Sequence, residues 1–174
     1  MQGKLSEMQR FRETSWRFTF YLGIFATGLY VLWDKPWLWE TAHCWIDYPR
    51  QHVPPEVWWY YIIELGFYCS LMLSLFMDGK RKDFYEMLVH HFATLSLLAF
   101  SWSNNMVRMG STVTLLHDSV DYWLEGAKLA KYLRYQKLCD SLFIVFAVMW
   151  LITRIILYPI RYVSFCSHKV YCYK

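Results

Sequence analysis

Long apolar runs, each broken by a few regularly spaced polar residues, dominate this chain. Five runs are near the roughly 20 residues that a helix needs to cross a bilayer. They cover residues 16–33, 57–77, 84–102, 106 to about 122, and 138–159. The fourth is the weakest on hydropathy, because Arg108, His117, Asp118 and Asp121 interrupt it, and it continues as an amphipathic helix to about residue 132. The polar residues inside three of these runs fall into stripes. Ser111, Thr114, Asp118, Asp121, Glu125 and Lys128 alternate at three- and four-residue steps, which puts them on one helix face, with His117 one step round from them. Glu86, His90 and Thr94 recur every four residues on the preceding run, with His91 beside them, and Tyr60, Glu64 and Tyr68 do the same on the run before. Lipid offers such groups no partner, so the economical arrangement turns all three stripes towards a shared interior. The pattern predicts an all-α fold, a polytopic membrane helix bundle of five transmembrane helices.

Composition agrees. The chain is 56% hydrophobic and 21% aromatic, against about 45–50% apolar for an ordinary soluble domain. The formal charge of +4 matters less than its distribution. Lys4, Arg10 and Arg12 precede the first run, Lys80, Arg81 and Lys82 separate the second and third, and Lys128, Lys131, Arg134 and Lys137 separate the fourth and fifth. The connections 34–56 and 103–105 are nearly free of Lys and Arg. Positive charge marks the cytoplasmic side, which predicts a cytoplasmic N-terminus and a 34–56 loop on the far side. The alternation works only if all five runs cross; Lys169 and Lys174 then depart from it mildly. Trp33, Trp37, Trp39, Trp45, Trp58 and Trp59 bracket that loop as an aromatic interface belt, and Pro49, Pro54 and Pro55 keep it out of helix.

Several classes are disfavoured. The first fourteen residues are polar, so no cleavable signal peptide is expected. Cys44, Cys69, Cys139, Cys166 and Cys172 fit no zinc spacing, and Cys69 and Cys139 read as small hydrophobes. There is no Gly-rich phosphate loop, and the basic loops are too sparse for nucleic acid.

Chemistry concentrates on His90-His91 and on His117-Asp118-x-x-Asp121. Ionisable groups at membrane depth are costly and mark function by default. A bland reading stands beside each neighbour: Glu64 and Glu86 serve as interhelical hydrogen-bond glue, Glu125 and Lys128 as a solvated or snorkelling pair, Arg108 as an interface anchor. A mononuclear metal site from two histidines and a carboxylate is conceivable, but adjacent histidines diverge by about 100° on a helix and make poor joint ligands. No metal is therefore assigned. Acid–base or nucleophilic chemistry needs less: one imidazole that reaches the substrate and a carboxylate that fixes its tautomer. His90 or His91 with Asp118 or Asp121 supplies those parts.

The same residues carry a resemblance. Arg81-Lys82-Asp83-Phe84, His90-His91-x-x-Thr94, Asn104-Asn105-Met106-Val107-Arg108-x-Gly110 and Leu116-His117-Asp118-x-x-Asp121-x-x-Leu124-Glu125-x-Ala127-Lys128 resemble, in that order, the longevity-assurance motif of the ceramide synthases, whose membrane region is the TLC domain. Residues 16–21, Glu64-Leu65-x-Phe67-Tyr68 and Thr153-Arg154 also look like that family. The resemblance covers roughly residues 10–160. It implies a multi-pass endoplasmic-reticulum enzyme that N-acylates a sphingoid base with a fatty acyl-CoA, needing no other cofactor. It implies His90, His91, His117, Asp118 and Asp121 as catalytic residues, and it draws Arg81, Lys82, Asn105 and Arg108 into substrate binding, with the CoA phosphates near Lys80, Arg81, Lys82 and Lys131. The covalent form, with His90 as nucleophile and Asp118 as its partner, is preferred over simple deprotonation of the amine.

The family's catalytic domain has six spans and this pattern shows five. The expected organisation is a cytoplasmic segment at 1–14, an incomplete TLC-like membrane domain at 15–160 and a tail at 161–174 unlike the family, as in a copy truncated at both ends. Expected partners are the bilayer, the acyl-CoA, the sphingoid base and, in a homo- or heterodimer, another ceramide synthase. The competing functions are a non-catalytic TLC-type lipid-binding or regulatory protein and, third, a metal-dependent lipid oxygenase.

Overall fold

A computed structural model describes residues 2–77 and 84–172, with side chains from residue 7 to 77 and from 84 to 167. Arg81 and Lys82 lie outside the described residues. The regular structure of the described residues is all helical: α1 (Gln2–Leu32), a short α2 (Pro36–Trp39), a 3₁₀ turn at Thr41–Cys44, α3 (Pro55–Met77), α4 (Phe84–Ser103), α5 (Val107–Tyr132), α6 (Gln136–Leu151) and α7 (Tyr158–Cys172), the last two joined by a π-helical turn at Ile152–Leu157. Among the described residues, two continuous stretches, Pro55–Met77 and Gln136–Ser167, are long and apolar enough by composition to cross a membrane.

Local sequence explains the boundaries. Pro55 is the first residue of α3, where its missing N–H costs nothing, and Glu56 follows in the first turn, favourably placed against the helix dipole. So Pro55 starts a helix where the sequence pattern has it breaking one. The end of α4 is a Schellman cap: Asn105 adopts φ 54°, Met106 N–H donates to Ser101 O (2.8 Å) and Asn105 N–H to Trp102 O (3.0 Å). Asparagine tolerates this left-handed position well. The end of α5 repeats the motif with a less suited residue. Arg134 sits at φ 61°, with Tyr135 N–H on Ala130 O (3.0 Å) and Arg134 N–H on Lys131 O (3.1 Å).

The last helix runs on past Pro159, where the fifth apolar run ends. The helical path continues to Cys172. Proline in a regular helix clashes with the carbonyl four residues back and lacks a donor. Here the turn just ahead is widened, and Tyr158 N–H reaches back five residues to Thr153 O, which accommodates Pro159 without ending the helix.

The chain forms two compact units, one of Met1–Tyr30 with Val113–Ser167 and one of Val31–Thr112 with His168–Lys174. In the second, α3 and α4 make an antiparallel hairpin whose register is fixed by matched pairs: Phe76 against Phe84 (6.2 Å), the Tyr61 hydroxyl donating to Leu98 O (3.1 Å), and Trp58 against Trp102 (6.5 Å). In the first, α1 runs antiparallel to α5, with Phe11 on Tyr132 (6.2 Å) and Phe25 on Tyr122 (5.4 Å).

The stripes meet different fates. Tyr60, Glu64 and Tyr68 are all buried on α3, as are Ser111, Thr114, Asp118 and Glu125 on α5. On α4 the buried residues are His91 and Leu98, while Glu86 and His90 are exposed. The inward face of α4 is thus rotated by one residue, about 100°, from the expected Glu86–His90–Thr94 line. The cause is the α3–α4 seam, which runs through Leu98 and, two turns earlier on the same face, His91.

Arg134 bears a side chain in a conformation that costs L-residues roughly 1–2 kcal/mol. Replacing Arg134 by Gly is expected to stabilise the protein by about 1 kcal/mol, seen as a higher unfolding midpoint in detergent.

Candidate active site

His90 and His91 lie one residue apart on α4 with ring centroids 5.6 Å apart and planes at 58°. Their environments differ. His91 is 7% exposed, within the packed face of α4, whereas His90 stands on the exposed side. In the same unit the opposite helix contributes Glu64, fully buried on α3 and flanked along its stripe by Tyr60 and Tyr68. Charged-type groups with no exposed surface are retained only where the interior supplies polar surroundings.

The His117–Asp121 stripe belongs to the other unit. His117 Nδ1 lies 2.8 Å from Val113 O. A carbonyl only accepts, so Nδ1 carries the proton and Nε2 is the basic nitrogen of the neutral ring. The ring packs edge-on to Tyr158 at 5.7 Å and 82°, on the residue that follows the π turn. Asp118 has no exposed surface and Asp121 is half-buried. One turn on, Lys128 Nζ donates to Glu125 Oε1 at 2.6 Å. The carboxylate end of that pair is buried and the ammonium end half-exposed, a snorkelling geometry with a drier acidic end than a solvated pair has.

Asn105 and Arg108 are engaged with the 34–56 loop. Asn105 Nδ2 donates to Pro49 O (2.6 Å) and Gln51 O (3.2 Å). Arg108 Nη1 donates to His43 O (3.0 Å) and Ile46 O (3.1 Å), and its guanidinium lies over the Trp37 ring at 5.0 Å. Gln51 Nε2 bonds Cys44 O (2.5 Å) and Ile46 O (2.9 Å) from within the loop. These two motif residues therefore clamp a loop to the start of α5. The clamp also divides the tryptophans: Trp33, Trp39, Trp58 and Trp59 are exposed as a belt requires, but Trp37 and Trp45 are buried in the loop's own core.

Sequence reasoning missed three contributors. Tyr61, one step from the recognised stripe, sets the hairpin register through its hydroxyl. Gln51 is an isolated polar residue whose role depends on a loop fold that no periodicity describes. Tyr158 had a signal, since a proline inside an apolar run points to a local rearrangement beside it. Among the described residues, no group of three or more His, Cys, Asp or Glu side chains is arranged to hold a metal ion. Cys69, Cys139 and Cys166 are not disulfide-bonded.

Comparison with known proteins gives the pattern its context. The family model described as the TLC domain matches residues 10–173. The chain belongs to the TLC-domain family. Its curated relatives in that family include ceramide synthase 5 of Homo sapiens, 50% identical over 158 residues (91% of this chain and 40% of that protein). Ceramide synthase 4 of Homo sapiens is 49% identical over 151 residues (87% and 38%). The ceramide synthase hyl-1 of Caenorhabditis elegans is 42% identical over 156 residues (89% and 42%). The chain spans about two fifths of the length of these relatives. Membership of the TLC-domain family and the apolar helices make this a membrane protein.

Breaking the clamp tests its structural role. Arg108→Met removes two charge-assisted hydrogen bonds and the cation–π contact and is expected to cost about 2–3 kcal/mol. Limited proteolysis should show faster cleavage within residues 40–52, with a lowered unfolding midpoint.

Proposed function

We propose that this chain carries the reaction centre of a ceramide synthase-type N-acyltransferase, which joins a fatty acyl group from acyl-CoA to the amine of a sphingoid base. The observation that carries the reading is the ordered motif, His90-His91 followed by His117-Asp118-x-x-Asp121, within a TLC-domain match whose relatives are named ceramide synthases. The split burial of the histidine pair supports a division of labour. His90 is the member that a substrate can reach. His91, held in the packed face, orients the pair.

In the covalent form, the His90 imidazole attacks the thioester carbonyl carbon. The C–N bond forms, the C–S bond breaks and CoA leaves as the thiolate, which takes up a proton. The sphingoid amine then attacks the acyl-imidazole, the amide bond forms and the imidazole leaves with its electron pair. The amine's surplus proton passes to the basic residues of the motif, among which His117, Asp118 and Asp121 are assigned. No further cofactor enters this scheme.

Five membrane crossings, an endoplasmic-reticulum location and a cytoplasmic N-terminus complete the proposal. The alternation of basic loops supports the orientation, and it places Arg81 and Lys82 on the side from which CoA arrives. The proposed partners are the bilayer, the two substrates and, in a dimer, a second ceramide synthase.

The test is ceramide formation from labelled sphinganine and a panel of acyl-CoAs, in membranes lacking endogenous ceramide synthase. Wild-type chain should yield product, and His90→Ala should lower the rate at least about 10²-fold, with the His90→Ala/His91→Ala pair inactive. Correctly inserted protein that makes no product would overturn the activity of this chain, and a fully active His90→Ala would overturn the role of that residue.

A further inference from the structure

The unit that contains Val113–Ser167 has an apolar groove of about 360 Å³, walled by Phe18 and Leu22 of α1, Trp123 and Gly126 of α5, and Leu138 and Leu142 of α6. Gly126 keeps it open. A Cβ there would lie 3.3 Å from the Phe18 ring and 3.8 Å from Leu142 Cδ1, so any larger residue would fill the space between the three helices. The lining reaches Leu133 and Leu138, which flank the turn between α5 and α6.

That turn is positively charged. Lys131, Arg134 and Lys137 are all exposed, and none of them is in an ion pair among the described residues. The nearby carboxylates are already engaged: Glu125 accepts from Lys128, and Asp140 accepts from Gln136 at 2.7 Å. Arg134 holds its guanidinium out from a left-handed backbone position that glycine would occupy without strain. An apolar groove that opens beside three cations engaged in no ion pair has the chemistry to hold an amphiphile with an apolar tail and an anionic head. In a membrane protein, basic pockets at the helix ends are the places where anionic headgroups dock.

We propose that the groove and its adjoining turn form a binding site for an anionic phospholipid of the bilayer, with one acyl chain lying along Phe18, Gly126 and Leu142 and the phosphate held by Lys131, Arg134 and Lys137. The site rests only on the chain being a membrane protein and is independent of any acyltransferase chemistry.

Trp123 lines the groove and reports on its occupant. The full chain is reconstituted in phosphatidylcholine vesicles containing a minor fraction of phosphatidylserine, and either lipid is supplied with brominated acyl chains, which quench an indole in contact with them. The Trp123 signal is the difference between wild type and Trp123→Phe. Brominated phosphatidylserine should quench it on the order of 100-fold more, per mole of lipid, than brominated phosphatidylcholine. Each basic residue is expected to contribute roughly five-fold to that preference, so Lys131→Ala/Arg134→Ala/Lys137→Ala should abolish it. Arg134→Gly removes one charge while relaxing the backbone, so it should reduce the preference roughly five-fold without loss of fold. Equal quenching by the two lipids, a preference that survives the triple substitution, or no quenching by either would overturn the site. Because the readout is fluorescence, absence of ceramide formation leaves this result standing, and the reverse also holds.

Discussion

A helix satisfies its own backbone, but a polar side chain taken out of water on its packed face still needs polar surroundings. That single constraint sets the rotation of α3 and α5. Glu64 and Asp118 have no exposed surface, and the residues at three- and four-residue steps from them turn inward together. Once those faces are fixed, the exposed faces follow as long apolar surfaces, most plainly along Gln136–Ser167, where most of the large apolar side chains are outward.

The 34–56 loop answers the same constraint by other means. It lacks a regular ladder, so its carbonyls are collected by side chains: Gln51 from inside, Asn105 and Arg108 from the helix ends. Asn105 does two tasks at one position. Its backbone takes the left-handed turn that ends α4, and its amide holds the loop against that turn. The close approach is possible because Gly110 lacks a Cβ, which would lie 2.8 Å from the Tyr61 hydroxyl. Loop clamp and hairpin register therefore meet in one small region, where Tyr61, Ser101 and Gly110 leave no spare volume.

Placement of the candidate catalytic residues follows from these supports. The His90–His91 pair is split by the α4 rotation into an accessible and a packed ring, and His117 is fixed in one tautomer by the Val113 carbonyl. The π turn before Pro159 brings Tyr158 against the His117 ring. Helix irregularities of this kind often sit at functional sites, and this one also lets a proline-containing segment remain helical.

The helical class, the extents of α3, α4 and α5 to within a residue or two, and the inward stripes on α3 and α5 were legible in the sequence alone, because burying polar groups along one face of a helix leaves a three-and-four spacing. The candidate residues His90, His91, His117, Asp118 and Asp121 stand out in the sequence because ionisable groups inside apolar runs are few. Tertiary structure decided what spacing does not encode. It rotated α4 so that His91 rather than His90 is packed, because the α3–α4 seam follows Tyr61 and Leu98 rather than the polar stripe. It carried the last helix past Pro159 by widening a turn. It turned Asn105 and Arg108 onto loop carbonyls more than fifty residues away in the chain, a contact set by three-dimensional proximity that local periodicity has no means to express.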